Sequence, residues 1–273
     1  MLLATFSLSL LQSMIKQLDE LHTFEIFFFR GLVTAIICLA ILKRKKVFVW
    51  GKAGTRKWLV LRAVTGIFST CVFYFTLKWM PFGAAVSLKY LSPIFAAVFA
   101  MFMLKEALRW PQIVFFGMAL GGVALLKGYD TRIETMALVL SLVAAVVGGL
   151  AFLFIRRIGT AEHPLVIVIY YMGLTTISMG LLMIPFWRWP TLTESLLLLG
   201  IGLTGFFGQY LMTQAMQAEA VSRIAPLKYL ELVYALLIGL VWFGETYVLW
   251  SFFGIILIMM GMILNVIYTK RSR

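Results

Sequence analysis

Two copies of one tripeptide, Lys89-Tyr90-Leu91 and Lys228-Tyr229-Leu230, stand 139 residues apart, each inside a long apolar run. The same offset joins Thr65, Gly66 and Phe68 to Thr204, Gly205 and Phe207, Glu106 to Glu245, and Gly122 to Gly261. Identities that keep one spacing without a gap mark an internal duplication. The chain therefore divides into residues 1–130 and 131–273, two copies of one unit. Each copy places a lysine where charge is expensive. Duplicated halves are common in secondary transporters, whose substrate sites lie between the repeats.

The apolar runs decide the class. Hydrophobic residues make up 62% of the 273 and charged residues only 13%, against about 25% charged in soluble proteins. This composition describes an all-α polytopic membrane protein, in which each crossing needs about 20 apolar residues. Turn residues and charge clusters delimit ten expected spans: 2–18, 24–42, 58–79, 81–104, 111–127, 135–155, 164–187, 192–216, 220–243 and 247–268. The start of the chain lacks a basic stretch and a small-residue cleavage site, so it reads as a span rather than a signal peptide.

Charge then orients the spans. The net charge of +13 first suggests nucleic acid, but the basic residues lie between apolar runs. One side carries Lys43, Arg44, Lys45, Lys46, Lys52, Arg56, Lys57, Lys105, Arg109, Arg156, Arg157, Arg223, Lys270, Arg271 and Arg273; the other has only Lys16, Lys78, Lys127, Arg132 and Arg188. Such a bias puts both termini in the cytoplasm, as an even number of spans also requires. Five spans per copy is odd, so the second half must be inverted relative to the first. Lys89 and Lys228 then lie roughly 12 Å deep from opposite surfaces, short of the midplane at roughly 15 Å.

Several patterns resemble the EamA-type members of the drug/metabolite transporter superfamily. They are Phe27-Phe28-Phe29-Arg30-Gly31, Ala85-Val86-Ser87-Leu88 through Ser92-Pro93-Ile94-Phe95, Ala225-Pro226-Leu227 through Glu231-Leu232-Val233-Tyr234-Ala235, and Phe243-Gly244-Glu245. The resemblance covers essentially the whole chain. It implies ten helices as two inverted five-helix repeats, a central cavity lined mainly by the first, third and fourth helix of each repeat, and movement of small metabolites across the membrane; the expected location is a bacterial inner membrane. Organic-phosphate carriers of the same superfamily are similar in using basic residues in the corresponding helices.

The candidate site follows from the buried polar groups. Lys89 and Lys228 are expected to hold an anionic group of the substrate; the competing reading is that each snorkels, or that Glu231, three residues on, neutralises Lys228. Glu231 has Ser92 as its match and is either a proton-coupling group or a counter-ion. Tyr74, Tyr90 and Tyr229 offer a substrate both a ring face and a hydroxyl, and Gln209, opposite Thr70, an amide. Arg30, about one and a half turns from Glu25, is expected to pair structurally or to close a gate. Glu106 and Glu245 are read as helix-end hydrogen-bond or repeat-packing groups rather than ligands. Pro93 and Pro226 interrupt their spans and can bend them. Gly117 and Gly121, and Gly200 with Thr204 and Gly208, have the spacing of close helix contacts.

These residues suit a carrier that works by alternating access on a small metabolite, with a proton as candidate coupling ion. A channel or lipid-handling protein is the alternative. A membrane enzyme is disfavoured, because His22 and His163 both stand near span ends and no HExxH, GxSxG or carboxylate cluster is present. Cys38 and Cys71 lack metal or redox spacing, and no metal or other cofactor is expected.

Overall fold

Helix ends in this chain fall where a side chain can replace a missing backbone partner. The computed structural model describes residues 1–104, 110–129, 133–218, 230–246 and 249–271. Among these, all regular structure is helical: α1 (Leu2–Gln17), α2 (Thr23–Arg44), α3 (Arg56–Trp79), α4 (Phe82–Lys89), α5 (Ser92–Leu104), α6 (Trp110–Tyr129), α7 (Thr135–Ile158), α8 (Pro164–Leu182), α9 (Leu192–Ala218), α10 (Leu230–Val241) and α11 (Leu249–Arg271), with short 3-10 turns at Gly159–Ala161 and Ile184–Phe186.

Two histidines start corresponding helices. His22 Nδ1 accepts the Phe24 N–H at 3.3 Å, and the Glu25 carboxylate accepts the His22 N–H at 3.3 Å, so α2 opens on a reciprocal cap. His163 Nδ1 accepts the Leu165 N–H at 3.2 Å, with Pro164 at the first position of α8, where its lack of an N–H costs nothing. The far end of α1 is closed from outside: Lys78 donates to the carbonyls of Leu18, Asp19 and Leu21 at 2.8, 3.1 and 2.8 Å.

Six helical stretches are long and apolar enough to cross a bilayer: Thr23–Arg44, Arg56–Trp79, Phe82–Met103, Thr135–Ala161, Pro164–Leu182 and Leu192–Ala215. Trp110–Leu125, Leu230–Val241 and Phe252–Asn265 are shorter apolar helices. The 22 residues of α2 rise about 33 Å, against roughly 30 Å of hydrocarbon. The chain is thus a polytopic, all-helical membrane protein.

The expected span 81–104 is broken in two. α4 ends at Lys89 and α5 begins at Ser92. Pro93, second in α5, has no N–H to give the Lys89 carbonyl four residues back. The Ser92 hydroxyl takes that place, donating to the Lys89 carbonyl at 2.8 Å. Pro93 therefore sits at a helix start, and the interruption falls at Tyr90-Leu91.

Packing joins α1 to α9 and α7 to α3, α2 to α9 and α8 to α3, α1 to α10 and α7 to α4 and α5. α2 packs on α8, α4 on α10, and α6 on α11. Each pairing maps onto another, or onto itself, when α1, α2, α3, α4/α5 and α6 exchange with α7, α8, α9, α10 and α11. The tightest approach corrects the expected glycine contact. A Cβ on Gly117 would meet nothing within 4 Å, and one on Gly121 only Leu257 at 3.7 Å. The repeat-matched Gly122 and Gly261 do the work instead: a Cβ there would stand 2.5 Å from the Gly254 carbonyl oxygen and 2.4 Å from that of Phe115. In α9, Gly200 and Gly208 face Met14 and Leu8 of α1, at 3.2 and 2.7 Å from such a Cβ.

Candidate functional site

The broken helix delivers Lys89 to the core. As the last residue of α4 it complements the negative end of that helix dipole. Its ammonium lies 3.1 Å from Glu231 Oε1 and 4.8 Å from the centre of the Phe73 ring. Glu231, in the first turn of α10, is 1% exposed. Its Oε1 also accepts from Gln12 Nε2 at 2.6 Å, its Oε2 from the Tyr90 hydroxyl at 2.7 Å, and its main-chain carbonyl from Ser9 Oγ at 3.1 Å. Side chains from α1, the α4–α5 break and α10 thus converge on one carboxylate. An ion pair removed from water gives up most of its attraction to desolvation, so stability alone is a weak reason to keep one. Ionisable groups at membrane depth mark function by default.

A second polar group occupies the interface of α2, α3 and α8. Arg30 is 2% exposed and Arg62 is 7% exposed. Arg30 Nη1 donates to the Tyr74 hydroxyl, and its guanidinium lies 5.6 Å from the Phe27 ring centre. Arg62 stacks over the Tyr171 ring at 4.0 Å, and the Tyr171 hydroxyl donates to Thr70 Oγ1 at 2.9 Å. Among the described residues neither arginine meets a carboxylate; the ion pairs there are Lys16–Glu245, Lys89–Glu231, Arg188–Glu20 and Arg188–Glu194. Arg30 Nε and Arg62 Nε and Nη1 are buried without a hydrogen-bond partner.

Several expectations change in this light. Glu25 does not pair with Arg30: its carboxylate accepts the His22 N–H and, at 2.6 Å, the Arg188 N–H. Lys89 is held by Glu231, which sequence reasoning set beside Lys228. Tyr74 and Tyr90 are both buried, one against Arg30 and the other against Glu231. Gln209 is half-buried in α9, and its main-chain carbonyl accepts the Thr213 hydroxyl at 2.7 Å. Glu245 pairs with Lys16 and accepts the Phe82 N–H that opens α4. Lys228, Tyr229, Pro226 and Glu106 lie outside the described residues.

Gln12, Arg62 and Tyr171 are the site residues that sequence reasoning missed. Arg62 had a usable signal, since it falls within the expected span 58–79. Its closeness to the basic run Arg56-Lys57 made it resemble a snorkelling end residue. Gln12 and Tyr171 had none, because their partners lie on distant segments.

Known proteins agree with this architecture. Solute carrier family 35 member G1 of Homo sapiens is 27% identical over 269 residues, 93% of this chain and 74% of that protein. The pseudopaline exporter CntI of Pseudomonas aeruginosa is 27% identical over 237 residues, covering 85% of this chain and 82% of its own. A solved crystal structure superposes with a TM-score of 0.69 at 19% identity, over 100% of this chain and 96% of the other, which shows the shared fold. The model of the EamA-like transporter family matches twice, over residues 1–127 and 135–267, and the chain belongs to that family.

Proposed function

We propose that this protein is a secondary active transporter that carries a small organic metabolite bearing an anionic group across the bacterial inner membrane by alternating access. Its two halves, 1–130 and 131–273, act as inverted five-helix repeats, giving ten spans with both termini in the cytoplasm. The exchange symmetry of the helix pairings and the double family match support this reading. The observation that carries it is the Lys89–Glu231 pair, its carboxylate buried and its ammonium partly exposed, which ties the broken α4 of one half to α10 of the other.

A cross-half ion pair at a helix break can exist in two states. With Glu231 ionised, Lys89 and Tyr90 hold α10 against the α4–α5 break, and Gln12 holds it against α1. A proton on Glu231 cancels the pair's charge attraction and frees the two halves to rock. Glu231 is then the coupling group, Tyr74, Tyr90, Tyr229 and Gln209 contact the organic body of the substrate, and Lys228 flanks the site from the second repeat.

Proteoliposomes test the reading. Uptake should saturate, show counterflow, and respond to an imposed pH gradient. In Glu231→Gln the pH-driven component should vanish while exchange persists. Flux without saturation or counterflow would identify a channel, and loss of both activities, or of neither, would remove Glu231 from coupling.

A further inference from the structure

We infer that the anionic group is bound by the Arg30–Arg62 pair, as a carboxylate or phosphoryl oxyanion seated between two guanidinium forks. For transport this rests on the carrier reading above; for binding it stands alone. Lys89 is the less suitable ligand, because Glu231 already occupies it at 3.1 Å.

Three observations converge. First, an arginine cannot shed its proton to escape burial. Two of them stand here in the core, without a described carboxylate, and each carries idle N–H donors. Both reach one face of α3, along which Arg62, Gly66, Thr70 and Tyr74 follow at four-residue intervals: Arg62 stacks on Tyr171, whose hydroxyl reaches Thr70, and Arg30 reaches Tyr74 one turn on, so an oxyanion between them would relieve repulsion as well as fill donors.

Second, the fold does not ask for arginine at position 62. The offset of 139 sets Ile201 opposite Arg62. Ile201 is fully buried, so the same helix position packs well with an apolar side chain.

Third, matched glycines keep room beside the guanidinium groups. A Cβ on Gly66 would stand 2.6 Å from Arg62 Nη1, and one on the equivalent Gly205 would stand 3.3 Å from Arg30 Nε. Arg62 lies over the Tyr171 ring and Arg30 beside Phe27; with Arg30 Nη1 taken by the Tyr74 hydroxyl, Arg30 Nε and Arg62 Nε and Nη1 are the donors left for an oxyanion.

The test is a thermal-unfolding titration of the purified full chain in nanodiscs. Inorganic phosphate and acetate are the two probes, with chloride at equal ionic strength as the control. Wild type should be stabilised beyond chloride by at least one probe, and the stronger of the two tells phosphoryl from carboxylate. Arg30→Gln and Arg62→Gln should each weaken that binding about tenfold or more. Arg62→Lys should weaken it too, because the charge stays and the fork is lost. Without probe, Arg62→Gln should unfold at the same or a higher temperature, since a costly charge is gone; a purely structural arginine would give a lower one. Should Arg62→Gln fail to fold, Arg62→Lys carries the comparison. No stabilisation beyond chloride in wild type, or unchanged stabilisation in both arginine variants, overturns the inference. Absent counterflow with intact, arginine-dependent probe binding would sink the carrier reading alone.

Discussion

The carboxylate of Glu245 closes the N-terminus of α4. Its two oxygens accept the Phe82 N–H at 2.8 and 3.0 Å, across 163 residues of sequence, while Lys16 at the end of α1 pairs with the same group. A carboxylate there complements the positive end of the helix dipole and fills a donor that the helix leaves idle. Because α4 carries Lys89, this remote contact sets the depth at which the Lys89–Glu231 pair forms.

Glu245→Ala should therefore destabilise the protein by roughly 1–3 kcal/mol, the value of a charge-assisted hydrogen bond with a buried donor left open. Lys16→Met should cost less, since the Phe82 N–H keeps its acceptor. Thermal unfolding of the two variants gives the ranking, and equal or reversed effects would refute the capping role.

Much of the architecture could be read from spacing, and much of the site could not. The tripeptide repeat and the pairs Gly122–Gly261 and Gly66–Gly205 reveal duplication because equivalent places in two copies face the same backbone constraint. Span positions follow from the cost of burying charge, which is local information. The break inside 81–104 was half visible: Pro93 announced it, but the Ser92 hydroxyl that makes it tolerable acts through geometry. Lys89 was identifiable as a costly cation, whereas its partner Glu231, and the Gln12 that donates to the same carboxylate, come from other helices, at separations no periodicity encodes. Sequence spacing alone sets Glu231 beside Lys228 and Arg30 near Glu25, and carries no signal for Lys89 or Tyr74.

Glycine positions in α6 offer a sharp contrast. Gly122→Ala places a methyl 2.5 Å from the Gly254 carbonyl oxygen and 3.0 Å from the Ile258 nitrogen, so α6 and α11 must separate, at a cost of about 1–3 kcal/mol. Gly117→Ala meets nothing within 4 Å and should be neutral or stabilising by up to about 1 kcal/mol through helix propensity. Unfolding temperatures in one detergent decide the matter. If both variants behave alike, the close backbone approach is not what holds α6 against α11.

The Lys89–Glu231 pair predicts strong coupling between substitutions. Lys89→Met removes a charge partner from a carboxylate that is 1% exposed and keeps Gln12 and Tyr90 as donors. The expected loss is about 3 kcal/mol, the low end for a broken buried pair. Adding Glu231→Gln should recover part of it, since the buried negative charge goes with the carboxylate. A double-mutant cycle of unfolding free energies measures this, and additive losses would mean the two groups do not interact energetically.

The two helix-opening histidines make stability depend on pH with a definite sign. Each accepts an N–H through Nδ1, which a protonated imidazole cannot do. Burial is the main cause holding both below the ordinary histidine value; Lys78 pushes His22 the same way while Glu25 opposes it, and Lys45 adds to the effect at His163. With the folded-state pKa depressed, the unfolded chain binds protons first as pH falls below about 6.5. Stability is complete above that value and declines below it until the folded-state histidines are themselves protonated. The loss per histidine is bounded by the worth of a helix cap, about 1 kcal/mol. His22→Asn and His163→Asn supply a cap that does not titrate, so each should flatten the unfolding temperature between pH 8 and pH 5 relative to wild type. A pH profile unchanged in the double variant would show that neither imidazole governs the acid side of the stability curve.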